Sequence, residues 1–387
     1  MKIAHVCVIN HYTEGMTYQD NMLSQQNVMD GHEVLFVSDE YKFVKGKLVA
    51  FGREDKILCD GMRLVRLPYI NFGNGFLNNK IRAVKGLYEL LDAFTPDIIL
   101  IHQGDMCWSV FDVIRYKKKH PSVIMYADTH ASYVNSGRNW LSLNILHKIF
   151  YRYLSKKMMP YIEKYFYIGE GEHVFAREVY QVPEEIMEYY PLGGFLPTDK
   201  EYDADRKLKR KELQIADDEL LLVHTGKMDA LKKTRELLRA FRMVPELKAK
   251  LIIIGTLYDD VKNEVEKMIM EDSRVKFLGW KTGDEIQQYL CACDLYCQPG
   301  GVSATMQNAI CNRCPVLSRH QEGYKQLAAY DNFIWADTVE EIVDAFKKII
   351  NGEIDLSMLK KNSCRCAAEL LDYRKLAARL YEGVENK

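Results

Sequence analysis

A chain of 387 residues exceeds what one ordinary hydrophobic core organises, so two domains are expected. With 48% hydrophobic and 28% charged residues and a formal net charge of −1, it reads as globular and excludes recognition of duplex DNA by bulk charge. The start, MKIAHVCVIN, enters an apolar run after one lysine without a signal-type core, and no run of about 18 uncharged apolar residues follows, so a cytoplasmic protein is expected.

The first half repeats a unit of apolar strand, loop and helix. Residues 3–9 read as a buried strand, 18–29 as a helix stopped by Gly31, and 34–38 as a second strand. A helix is expected over 80–94, where Val84, Leu87, Leu90 and Leu91 keep helical spacing, with strands at 98–102, 123–127 and 165–168. The polar segment 197–211 reads as a linker, after which strands are expected at 220–224, 251–254, 275–278, 295–298, 316–318 and 333–335. A last helix from Asp372 to about Gly383 carries Leu376, Leu380 and Tyr381 on one face. Such alternation predicts an α/β fold with two doubly wound parallel sheets, whose ligands belong at the carboxyl ends of the strands.

Ten cysteines in such a chain read as free thiols. Cys311 and Cys314 form a CxxC with Cys291, Cys293 and Cys297 upstream, but all five fall on apolar segments, so buried thiols are expected rather than a zinc site. Asp203-Ala204-Asp205 has the spacing of a metal-binding Asp-x-Asp, yet it sits in the charged segment and follows no strand, so no metal is expected.

The stretch LLLVHTGKMDALKKTRELLRAF, residues 220–241, is the most informative. A strand ending at His224, a turn at Gly226 and a helix starting near Thr234 place Lys227, Lys232 and Lys233 where a strand meets a helix N-terminus. Two cations about 4 Å from a phosphate contribute a few kcal/mol each at an effective dielectric near 20. The spacing alone is equally that of a solvated basic loop.

This stretch resembles the donor loop of retaining GT-B glycosyltransferases of family 4, with Lys227 and Lys233 at the basic positions and Thr234 where the family has glycine. VKFLGW at 275–280, CACDLYCQPG at 291–300, YYPLGG at 189–194 and the opening 38 residues resemble further family segments in the same order. The resemblance implies two Rossmann-like domains facing a central cleft, divided as 1–192 on the acceptor side and 193–370 on the donor side, with 371–387 packing back on the first domain. Family members place two glutamates eight positions apart at the second donor loop, and here Gly300 and Asn308 stand in those places. The loop PGGVSATMQNAI instead offers Gly300 and Gly301 for close backbone approach, Ser303 and Thr305 for a helix start, and Gln307 and Asn308 for ribose or sugar hydroxyls.

In the first domain Gly15 is expected to bring amides to a diphosphate, and Trp280 in the second to border the base. His130 resembles the family histidine beside the donor sugar; His102, Asp128, Tyr18 and Gln19 are candidates for the acceptor. His5, His147 and His173 read as structural. The expected activity is retaining transfer from a UDP- or GDP-sugar to a saccharide or polyprenyl-linked saccharide acceptor, in surface polysaccharide or glycoconjugate synthesis. No cofactor is expected beyond the nucleotide-sugar substrate. Residues 147–166 mix basic and aromatic side chains, which fits a plain amphipathic helix and also peripheral contact with the cytoplasmic face of a membrane. A sugar-nucleotide epimerase and a non-catalytic subunit of the same fold are the rival readings.

Overall fold

The computed structural model describes residues 1–44, 47–301 and 304–384, which divide into two units: Met1–Pro191 with Tyr373–Lys387, and Leu192–Asp372.

The first unit contains β1 (Lys2–Cys7), β2 (Glu33–Asp39), β3 (Tyr41–Val44), β4 (Lys47–Ala50), β5 (Glu54–Ile57), β6 (Arg63–Leu67), β7 (Ile98–His102), β8 (Ile124–Thr129), β9 (Lys164–Tyr167) and β10 (Met187–Tyr189). Eight of them form one sheet in the order β10-β9-β8-β7-β1-β2-β6-β5, parallel except at β5, while β3 and β4 pair separately. Apolar residues fill the inner strands because both faces are covered. Ala4, Val6, Leu35, Val37, Ile99 and Ile101 join one continuous core with Leu87, Leu91 and Val113 from the helices. Helix Tyr373–Ala378 packs on helix Gln19–Met29, and the Tyr190 hydroxyl donates to the Leu376 carbonyl at 2.5 Å.

The second unit contains β11 (Leu220–Met228), β12 (Ala249–Leu257), β13 (Val275–Phe277), β14 (Leu295–Gln298), β15 (Val316–Ser318) and β16 (Phe333–Trp335). They form one parallel sheet in the order β13-β12-β11-β14-β15-β16. Successive residues of β11 feed opposite faces. Leu222 packs with Leu237, Phe241 and Phe346, whereas Leu221 and Val223 pack with Leu290 and Ile310.

Three sequence expectations are corrected. Residues 197–211 are not a linker but most of helix Asp199–Glu212, whose start is fixed by a reciprocal capping box between Thr198 and Glu201. Arg206 and Arg210 of that helix both reach Asp294 before β14, which explains a charge density that reads as linker in isolation. The helix expected over 80–94 is two helices, Gly75–Ile81 and Leu87–Phe94, interrupted where Arg82 and Gly86 take left-handed conformations. Strand β11 continues past His224 to Met228, so Gly226 lies within a strand rather than in a turn.

One buried acid in the first core makes its stability depend on pH. Asp105 follows β7, is fully buried, accepts the Tyr165 hydroxyl at 3.0 Å, and is pushed up to about 7 by burial. The folded state therefore holds a proton between the ordinary value of 3.8 and about 7 where the unfolded chain does not. Stability from this group is present at low pH and is lost as pH rises through the folded value, at about 1.4 kcal/mol per pH unit. Asp105→Asn imitates the neutral form and removes that slope. Urea midpoints should show the variant gaining on wild type from about pH 4 to pH 7 and no further above that; a difference independent of pH would refute the assignment.

Candidate functional site

In each unit the strand order reverses direction once, and open α/β sheets bind ligands at that point, outside the carboxyl ends of the strands. In the second unit the reversal lies between β11 and β14. In the first it lies between β1 and β7.

At the end of β11 the backbone is held by a pair of glycines. Gly226 and Gly255 face one another across β11 and β12 with φ of +139° and +142°, and a Cβ on Gly255 would lie 1.8 Å from the Gly226 carbonyl oxygen. Only glycine at 255 allows the two strands to run that close. Lys227 follows on the exposed part of β11, and its ammonium has no ion-pair partner among the described residues. The chain then makes a short helical turn, Ala230–Lys232, capped by Asp229, and Lys233 takes a left-handed conformation to enter helix Thr234–Arg242. Lys233 Nζ lies 3.4 Å from the Asp337 carbonyl, after β16.

Burial, with a smaller Lys232 contribution against protonation, keeps His224 down at about 4 and hence neutral. Its Nδ1 donates to the Cys297 carbonyl at 2.8 Å, so Nε2 accepts from the Thr234 hydroxyl at 3.0 Å. Thr234, where related loops have glycine, thereby ties the helix start to β11 and to the end of β14.

The second loop is bonded to the first. Gly301 N donates to the Leu231 carbonyl at 3.0 Å, Lys232 Nζ donates to the Gly301 carbonyl at 3.3 Å, and Gln298 Nε2 reaches the same carbonyl at 2.7 Å. Gln321, after β15, holds the Gly300 carbonyl at 2.9 Å. A Cβ on Gly300 would lie 2.2 Å from the Leu231 carbonyl oxygen and 2.4 Å from the Lys232 carbonyl carbon. A side chain there would meet backbone atoms, so the close approach of the two loops requires glycine at 300.

Ser303 lies outside the described residues. Thr305, Gln307 and Asn308 fall on helix Ala304–Cys311. Gln307 is buried, and its Oε1 accepts from Gly193 N at 3.1 Å, so this oxygen is committed to the turn after Pro191. Asn308 is half-buried and its carbonyl receives the Asn312 amide. Trp280 is 71% exposed just after Gly279, whose carbonyl accepts from Gly255 N. Cys291, Cys293, Cys297, Cys311 and Cys314 are all buried free thiols, and among the described residues no group of three His, Cys, Asp or Glu side chains is placed to hold a metal ion.

In the first unit a chain of hydrogen bonds runs beneath the reversal point. Asp128 Oδ2 meets His102 Nδ1 at 2.6 Å, His102 Nε2 meets His5 Nδ1 at 3.1 Å, and His5 Nε2 meets Asn27 Oδ1 at 2.8 Å. Burial opposes charge on both rings, but the Asp128 carboxylate outweighs it at His102 and raises that group, while His5 is driven down to about 3. His102 donates its Nδ1–H to the Asp128 carboxylate, which fixes the ring between Asp128 and His5. Asp128 Oδ1 also accepts Gln103 N at 2.8 Å, and Gln103 Nε2 reaches Asn10 at 3.0 Å. His102 and Asp128 are thus buried groups that orient Gln103 and Asn10.

Those two amides open into a cavity of about 380 Å³ with His130, Lys80, Arg82 and Asn135 also on its wall. Of the other sequence candidates in this unit, Gly15 and Tyr18 are exposed on the loop before helix Gln19–Met29, and Gln19 is buried with its Nε2 on the Pro191 carbonyl at 2.7 Å. Sequence reasoning missed Asn10 and Gln103, although both directly follow strands that flank the reversal. It had no signal for Lys80 and Arg82, which reach this wall only through the break between two helices. His147 is buried and bonded to the Tyr180 hydroxyl at 2.8 Å, and His173 pairs with Glu170 and Glu184.

Residues 205–365 match the family model described as glycosyl transferases group 1. No curated protein sequence is detectably similar to this chain. Among solved structures, HepE of Anabaena in complex with UDP is similar over 100% of both chains at 15% identity with a TM-score of 0.69. Sucrose-phosphate synthase from Thermosynechococcus elongatus is similar over 100% of this chain and 98% of its own at 14% identity with a TM-score of 0.68. WaaG, a glycosyltransferase involved in lipopolysaccharide biosynthesis, is similar over 98% and 100% at 16% identity with a TM-score of 0.58. At these identities the likeness establishes the fold, two Rossmann-like α/β units of the GT-B architecture.

Proposed function

We propose that the protein transfers a glycosyl group from a nucleoside-diphosphate sugar to an acceptor hydroxyl with retention of anomeric configuration. The observation that supports this reading is the bonding of the lysine loop to the Gly300–Gly301 loop at the β11–β14 reversal, the end of the sheet at which open α/β folds bind their ligands. The match of residues 205–365 to glycosyl transferases group 1 supports it, as does the UDP held by HepE, which shares the fold.

In this reading Lys227 and Lys233 stabilise the charge that grows on the diphosphate as its bond to the anomeric carbon breaks. The acceptor oxygen forms the new bond to that carbon, and its proton passes to the departing phosphate oxygen on the same face. With cations and amides at the diphosphate, the charge a divalent ion would neutralise is met by the chain itself. Trp280 stacks on or beside the base.

A panel of UDP-, GDP- and ADP-sugars with mass-spectrometric detection of nucleotide release tests the reading. Release of one nucleoside diphosphate, accelerated by a saccharide or lipid-linked saccharide acceptor, is the expected result. Interconversion of the sugar without nucleotide release would assign an epimerase, and inertness toward every member would leave a non-catalytic subunit.

A further inference from the structure

The cavity at the first unit's reversal point shares part of its wall with a second one of opposite character. The polar cavity, about 380 Å³, is lined by Asn10, Gln103, His130, Lys80 and Arg82 among others. The second, about 520 Å³, is walled by Phe76, Leu77, Ile145 and Phe150, and the two share Lys80, Ser142 and Leu146. Its walls are helix Gly75–Ile81 and the helical turns Ser142–Tyr151, both of which leave large apolar side chains in solvent. Phe76 is 70% exposed, and Leu141 and Ile149 are exposed to a similar degree.

Two cations line the polar cavity, and one of them, Lys80, also lines the apolar one. The Arg82 guanidinium bonds the Met106 carbonyl and the Tyr151 hydroxyl, both neutral, and the Lys80 ammonium lies over the Phe76 ring at 5.7 Å. Among the described residues neither makes an ion pair with a carboxylate. Burial, and after it repulsion from Arg82, lowers Lys80, and the same two cations help hold His147 down at about 4. An uncompensated positive pair between a polar chamber and an apolar groove is complementary to an anion that has a polar group on one side and a long apolar chain on the other.

We propose that this double cavity binds a membrane amphiphile in which a phosphate is attached to a long apolar chain, the phosphate at Lys80 and Arg82, the chain between Phe76 and Ile145, and the group beyond the phosphate facing Asn10, Gln103 and His130. Calling that occupant the acceptor rests on the glycosyltransferase reading; its binding does not. The exposed Phe76, Leu141 and Ile145 side chains line the groove and would meet the chain as it enters from a bilayer.

The test is flotation of the full chain with phosphatidylcholine vesicles carrying a small fraction of long-chain polyprenyl phosphate, with UDP titrated into the same preparation. Flotation is expected with polyprenyl phosphate and about tenfold weaker with the uncharged prenol, since a charge-assisted contact is lost. Lys80→Gln and, separately, Phe76→Ser should each weaken it by roughly tenfold while UDP binding is unchanged, the second because an exposed aromatic contact to the chain is lost. Equal flotation with phosphatidylglycerol in place of the polyprenyl phosphate would show a diffuse charged surface and overturn the proposal. So would no flotation by a preparation that binds UDP, or a short soluble prenyl phosphate competing as well as the long one. Flotation without UDP binding would uphold this site and refute the donor reading.

Discussion

Replacing Lys233 by alanine is expected to lower kcat/KM for sugar transfer by about a hundredfold to a thousandfold, the cost of removing one preorganised charge from a departing anion. The position explains the size. Lys233 is the residue at which the chain turns left-handed into helix Thr234–Arg242, and its ammonium approaches only a backbone carbonyl, that of Asp337, at 3.4 Å. No carboxylate neutralises it among the described residues, so its charge is available to a ligand. Because alanine tolerates the left-handed region no worse than lysine does, stability should change little and the loss should be kinetic. Lys233→Arg should recover part of the rate. If Lys233→Ala turns over like wild type, Lys233 is a solvated loop residue.

Gly300→Ala is expected to be the most damaging small change in the second unit. The atoms that its Cβ meets belong to the backbone of Leu231 and Lys232, so no rotamer change relieves the contact, and the two loops must separate. A stability loss of about 1–3 kcal/mol follows, with nucleotide affinity falling at least about tenfold because the Gly301–Leu231 hydrogen bond is broken. Gly301→Ala is the matched control, since the nearest atom to its Cβ is 4.0 Å away, and it should stay within about 0.5 kcal/mol of wild type. Gly300→Glu should be at least as harmful as alanine, since its Cβ meets the same backbone atoms. Equal denaturation midpoints for Gly300→Ala and Gly301→Ala would contradict the packing.

At Gly300 the lysine loop comes into contact with the second loop, and Lys232 places its ammonium on the Gly301 carbonyl. Burial lowers Lys232 relative to an ordinary lysine, against the pull of Asp229.

The legibility of the sequence differed with the range of the interaction that fixes each element. The short strands at 295–298, 316–318 and 333–335 and the helix start at Thr234 were readable because apolar runs and local punctuation determine them. The extension of β11 through Gly226 to Met228 was not, because a glycine followed by a lysine signals a turn, and only the facing Gly255 allows the strand to continue. Helix Asp199–Glu212 was obscured in the same way: its apolar stripe is thin, and it is held by Arg206 and Arg210 reaching Asp294 some 80 positions on. The antiparallel edge strand Glu54–Ile57 is mostly polar and gave no alternation to read.

For the candidate sites, motif spacing singled out the lysines and the glycine loop, whose positions are set by local backbone geometry. It gave His102 and Asp128 as ligand groups, whereas burial makes them the supports of Gln103 and Asn10. It offered Gln307 as a hydroxyl binder, while the structure has its oxygen on Gly193 N. Lys80 and Arg82 come to the polar cavity from a helix break that no periodicity announces.

Calorimetric titration of UDP and GDP into the wild-type chain and into the Lys227→Ala/Lys233→Ala double variant tests the central claim most directly. The account requires one of the two nucleotides to bind wild type at a single site, and the double variant to bind it at least about a hundredfold more weakly, with an unchanged melting temperature. Equal affinity in wild type and double variant, or no binding of either nucleotide to a folded wild-type chain, would contradict it.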